Sequence, residues 1–265
     1  EDNADQPVLE PAVGETPLWG QTRLTGLFPA DTLMDEVLAG LPPAALAGCN
    51  QRVEILEDKD WEREWMTHYH PMQFGPRFWV CPSWLEPPDP DATNLLLDPG
   101  LAFGTGTHPT TALCLAELGT MTLENLDVVD YGCGSGILAV AALKLGARKA
   151  LGVDNDPQAL LATRENARRN GLSDDRLRVA LPEQVDVNLE RDGAQLVIAN
   201  ILAGPLLALS PRLIDLLAPG GTLMLSGLLA TQAEALCAHY SDHINLKVAA
   251  ERDGWVCLRG ALPGN

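Results

Sequence analysis

The chain is short of basic residues, has no closely spaced cysteine pair and lacks any long apolar run. Lysine and arginine number 18 against 36 aspartates and glutamates, a formal net charge of −18. A surface this acidic repels phosphate backbones, which argues against direct nucleic-acid binding. The six cysteines (Cys49, Cys81, Cys114, Cys133, Cys237 and Cys257) form no C-x-x-C pair. They read as reduced thiols packed as small hydrophobes, and no metal site is expected. The longest greasy stretch, Leu196 to Leu209, is short and interrupted by Asn200, Gly204 and Pro205, so no membrane-spanning helix is expected. The chain starts at Glu1 rather than at a methionine, so the lack of a signal peptide carries no information.

The acidity is uneven. Residues 1–100 hold 18 of the acids and 5 of the bases, and residues 101–265 hold 18 acids and 13 bases. Such a front half would attract a basic partner, although acidity also serves solubility alone. Five of the six tryptophans precede residue 100. Core packing is their default use, and a partner-binding surface is the alternative.

The most informative stretch is Leu126 to Gly136, Leu-Asp-Val-Val-Asp-Tyr-Gly-Cys-Gly-Ser-Gly. Residues 126–131 read as a buried strand, Gly132, Gly134 and Gly136 as a tight turn, and 136–145 as an alanine- and leucine-rich helix. Strand, glycine turn and helix open a nucleotide-binding βαβ unit, because a Cβ in the turn would keep the backbone away from a ligand. A second strand at 149–154 ends in Asp154, 18 residues after Gly136, where a carboxylate can accept both ribose hydroxyl hydrogens. A dinucleotide fingerprint is G-x-G-x-x-G. Here the third glycine comes one residue early, the pattern associated with S-adenosylmethionine. Cys133 reads as a small turn residue rather than a nucleophile.

Two further stretches carry chemistry. Asp98 to Thr111 is rich in glycine and threonine and precedes a helix at 109–118, as a loop folding over a ligand would. In it, Phe103 would lie against the adenine or the methionine moiety, and Thr107, Thr110 and Thr111 would bond polar atoms. His108 reads as a turn-shaping residue, with general base as the alternative. Asn200 closes an apolar strand at 195–200, where its amide can accept a hydrogen bond from an amine and aim the lone pair at the sulfonium methyl. The alternative is that Asn200 caps the next helix.

Around these, strands are expected at 78–81, 94–97, 177–181 and 221–227, and helices at 157–169, 205–217 and 230–240. Residues 244–250 and 255–262 are expected to form an antiparallel hairpin. The whole is an α/β chain. A seven-stranded Rossmann-like methyltransferase sheet with a terminal antiparallel hairpin is expected at 71–265, with a linker helix at 58–70. Residues 1–57 are expected to be part of a small α+β unit. In it, strands would run at Thr22–Phe28 and Gln51–Leu56, and Asp31 or Thr32 would cap a short helix. A nicotinamide oxidoreductase is opposed by the early third glycine and by the hairpin. A non-catalytic binding module is opposed by the intact 101–111 loop and Asn200.

Three runs together, Leu101 to Thr111, Ala199 to Leu206 and Glu57 to Trp65, resemble those of the ribosomal protein L-eleven methyltransferases (the PrmA family). The resemblance runs through essentially the whole chain. It implies a cytoplasmic class I enzyme that uses S-adenosyl-L-methionine to methylate the N-terminal amine and lysine side chains of a basic ribosomal protein. A ferredoxin-like N-terminal domain would grip that substrate, and about one strand and one helix of it are expected to be missing before Glu1. Thr111, Gly132, Asp154 and Asn200 carry over as cofactor contacts, with Phe103, Thr107, Gly134 and Gly136 beside them and Asn200 also positioning the amine. A monomer is expected. Another protein or a small-molecule amine is the alternative substrate.

Overall fold

The structure, a computed structural model, describes residues 21–42, 47–55, 69–98, 106–185 and 193–264. It divides into two compact units, Glu1–Glu64 and Trp65–Asn265. The expected linker helix at 58–70 lies almost wholly outside the described residues.

In the first unit the described residues form one helix, α1 (Met34–Gly40). Its N-cap is Leu33, without a side-chain cap bond, so neither Asp31 nor Thr32 caps it. The strand expected at Thr22–Phe28 is absent, because residues 23–29 join no ladder. Residues 51–55 are likewise irregular rather than strand. The physical reason is visible in exposure: Leu24 is 93% and Ile55 91% accessible, so these apolar residues have no face to pack on.

The second unit holds two sheets. β1 (Met72–Gly75), β2 (Phe78–Cys81) and β3 (Thr93–Leu96) form a small one, with β1 antiparallel and β3 parallel to β2. The large sheet has seven strands: β4 (Asp127–Tyr131), β5 (Lys149–Val153), β6 (Leu177–Ala180), β7 (Ala194–Asn200), β8 (Leu217–Leu229), β9 (Lys247–Arg252) and β10 (Trp255–Ala261). Their order is β6-β5-β4-β7-β8-β10-β9. The first five are parallel to one another, and β10 runs antiparallel to both β8 and β9. This is a Rossmann-like methyltransferase sheet with a terminal antiparallel hairpin.

The central strands read as continuous apolar runs because both of their faces are covered. In β7, Leu196 and Ile198 enter one core while Val197 and Ala199 enter the other. Val128 and Val129 of β4 split in the same way. The first core lies under α2 (Pro109–Leu118) and α3 (Ile137–Lys144). The second lies under α5 (Ala203–Ala208), α6 (Ser210–Asp215) and α7 (Ala233–Tyr240). Between β5 and β6 runs α4 (Pro157–Arg169), capped by Asp156.

The single helix expected at 205–217 is two helices. Pro211 has no N–H to continue the ladder, and the Ser210 hydroxyl donates to the Leu207 carbonyl instead, at 2.9 Å. The strand expected at 221–227 is longer, and the first strand of the hairpin starts at Lys247 rather than Ile244.

Leu196 is fully buried at the centre of the sheet. Leu196→Ala is expected to lower unfolding free energy by about 2–5 kcal/mol, read as the urea midpoint. A loss below about 1 kcal/mol would show that this core is not close-packed.

Candidate active site

β4 lies between β5 and β7, where the strand order reverses, and in open sheets of this kind ligands bind at the strands' carboxyl ends at that point. Three expected site residues arrive there on adjacent strands: Gly132 after β4, Asp154 after β5 and Asn200 at the end of β7.

The glycine turn is held by backbone and by α4. Gly132, Gly134 and Gly136 all have positive φ, of 78°, 53° and 75°. The Gly132 and Cys133 N–H groups donate to the Val153 carbonyl at 2.7 and 3.0 Å, tying the turn to β5. From α4, the Thr163 hydroxyl donates to the Gly134 carbonyl at 3.1 Å and the Asn166 amide to the Ser135 carbonyl at 2.8 Å. A Cβ on Gly136 would fall 2.6 Å from Thr163 Cγ2. Thr163 and Asn166 are buried polar residues on the same helix face as the buried Ala159 and Ala167. The sequence reading passed over both. A polar pair inside an apolar stripe was the available signal.

Asp154 accepts from the Gly134 N–H at 2.9 Å through Oδ2 and from the Asp156 N–H at 3.0 Å through Oδ1. Each bond uses one lone pair per oxygen, and the partly exposed carboxylate retains acceptor capacity.

Asn200 does not cap the following helix, whose N-cap is Leu202. Its Nδ2 donates to Thr111 Oγ1 at 3.2 Å, joining two residues 89 apart in the chain. Asn200 Oδ1 is buried without a hydrogen-bond partner. Because such an acceptor costs about 1–3 kcal/mol, it marks where a donor belongs.

Thr111 is itself buried, in the first turn of α2. His108 caps that helix: its Nδ1 accepts from the Thr110 N–H at 3.3 Å and lies 2.8 Å from Thr110 Oγ1. This is the turn-shaping use expected of it. Ser226 braces the same turn, reaching the Thr110 carbonyl at 3.4 Å and the Val256 carbonyl at 2.9 Å. Thr107 is exposed just before the helix, and Phe103 lies outside the described residues.

Burial pushes the Cys133 thiol far up, so it is no nucleophile at neutral pH. Burial also pushes the carboxyl of Asp130, 1% exposed beneath the turn, up to about 7; the Ala139 N–H opposes the rise and nearby Asp154 adds to it.

A family model described as ribosomal protein L11 methyltransferase (PrmA) matches residues 1–262. The chain belongs to the PrmA family. It is 53% identical over 268 residues to a ribosomal protein L11 methyltransferase of Saccharophagus degradans, covering 98% of this chain and 88% of that protein. With its counterpart in Erwinia tasmaniensis it shares 55% identity over 262 residues, with the same coverage. Among solved structures, the ribosomal protein L11 methylase of Lactobacillus delbrueckii subsp. bulgaricus superimposes with a TM-score of 0.64 at 31% identity. That match covers 74% of this chain and all of that one. A Pyrococcus furiosus methyltransferase (TM-score 0.52, 16% identity, 64% of this chain and 90% of that one) shares the fold.

Between the ordinary carboxylate range, about 4, and about 7, folded Asp130 holds a proton that the unfolded chain has lost. Its contribution to stability is therefore full below that window and falls as pH rises through it. Asp130→Asn is expected to remove this slope, measured by urea unfolding across the window. Equal slopes for the two proteins would overturn the assignment.

Proposed function

We propose that this chain transfers methyl groups from S-adenosyl-L-methionine to amino groups of ribosomal protein L11, at its N-terminal amine and lysine side chains. The observation that carries the reading is the buried, unpartnered Asn200 Oδ1 at the end of β7, on the same edge of the sheet as the glycine turn and Asp154.

The residues present fit the cofactor. Asp154 has the acceptor capacity for both ribose hydroxyls, and the positive-φ glycines let the turn fold tightly against Ile201 and Thr163 at the carboxyl end of β4. When bound, the sulfonium supplies a methyl group already activated for transfer. The protein then contributes alignment and desolvation. Asn200 Oδ1 accepts one N–H of the incoming amine, and the Nδ2 bond to Thr111 holds the amide in that orientation. A lysine amine, with an ordinary pKa of about 10.4, loses its proton more readily on leaving water for an apolar pocket. No side chain is assigned as the proton acceptor, and solvent takes that role.

The acidic N-terminal residues, 1–57, grip the basic substrate, and the chain works as a monomer in the cytoplasm. Among the described residues no helix is long and apolar enough to cross a membrane. Supporting the substrate reading are the family membership and the charge asymmetry between the two halves of the chain.

Incubation with labelled S-adenosylmethionine and ribosomal protein L11 is expected to place label on L11. Thermal stabilisation by S-adenosylhomocysteine with no label would keep the cofactor and discard the substrate. Asn200→Ala is expected to lower turnover about 10²-fold while leaving cofactor affinity nearly unchanged. Asp154→Ala is expected to do the reverse, weakening S-adenosylhomocysteine roughly 10- to 100-fold in a calorimetric titration.

A further inference from the structure

The residue after Asn200 occupies space that two side chains would otherwise fill. A Cβ on Gly132 would fall 2.3 Å from Ile201 Cγ2. A Cβ on Gly227 would fall 2.2 Å from the Ile201 carbonyl oxygen and 2.6 Å from its carbonyl carbon. Both glycines have positive φ, 78° and 88°. Gly132 follows β4 and Gly227 lies in β8, the strands on either side of β7. Ile201 is thus seated from both sides, by its methyl group on one and its peptide on the other.

The sheet alone does not supply this restraint. The β4–β7 ladder ends at Asp130↔Ile198, so Ala199 and Asn200 have no partner on the β4 side. On the other side Asn200 pairs with Ser226, the last pair of the β7–β8 ladder. The strand end carrying Asn200 is therefore laddered on one edge only. The contact of Ile201 with Gly132 replaces the missing edge.

We infer that Ile201 is a positioning residue, locked between Gly132 and Gly227, that registers the Asn200 amide for amine transfer. The inference rests on the role proposed for Asn200. The Asn200 amide is oriented by one hydrogen bond, 3.2 Å to Thr111, while its backbone is held in the sheet by the β8 edge alone. A site of this kind needs its groups held within roughly 0.5 Å, and the next residue's fixed backbone provides that hold. Ile201 also packs against the second core, which is the plainer use of an isoleucine. The two uses differ in one respect: a positioning residue acts through Asn200, and a packing residue does not.

A double-mutant cycle separates them. Ile201→Ala is expected to lower single-turnover methyl transfer to ribosomal protein L11 about tenfold, with S-adenosylhomocysteine affinity within about threefold of wild type. In an Asn200→Ala background the same substitution is expected to cost less than about twofold, because there is no amide left to place. Gly227→Ala, which pushes the Ile201 peptide itself, is expected to follow the same pattern; if it does not fold, Ile201→Ala decides alone. Unchanged transfer in Ile201→Ala, or an equal loss in both backgrounds, overturns the inference while leaving Asn200 its role. Full transfer in Asn200→Ala, or none by the wild-type chain, overturns both.

Discussion

Parallel pairing of β4 with strands on both of its edges is the constraint on which the site depends. Parallel strands all point their carboxyl ends the same way, so whatever follows β4, β5 and β7 gathers on one rim of the sheet. Gly132, Asp154 and Asn200 meet there without any local sequence relation between them. The hydrophobic effect keeps the strands in that order: Val128 and Val129, Leu196 and Val197 feed two cores at once, so each central strand is pinned from both faces.

On that rim, polar contacts set direction rather than supply most of the stability. A neutral hydrogen bond contributes about 1 kcal/mol net, less than one well-buried leucine. The Thr163 and Asn166 bonds to the turn carbonyls matter because those carbonyls would otherwise be buried unpaired. The same logic makes Asn200 Oδ1 informative. Gly134, Ser135 and Asp154 are all partnered on that rim, and the Asn200 acceptor is buried there without a partner.

The α/β half of the chain was largely legible. Apolar strands, a glycine turn and proline helix starts are strong local signals, and β4, α3, β5, α4 and the β9–β10 hairpin stand close to where they were expected. Less was legible where burial decides. Residues 23–28 and 51–55 make no ladder, and their apolar side chains Leu24 and Ile55 are exposed. The break at Leu209 follows from Pro211, whose effect a long apolar run concealed. β1 lies among prolines and glycines and was not expected at all.

By itself the sequence determined the fold class, the glycine turn with an acid at the end of the next strand, and the family. Each is written in short-range spacing, which sterics and backbone hydrogen bonding translate directly into local structure. Only the tertiary structure decided that the Asn200 amide meets Thr111, that Thr163 and Asn166 brace the turn, and that Ile201 fills the space beside Gly132 and Gly227. These contacts join segments far apart in the chain. They exist only once burial has stacked the strands in one particular order.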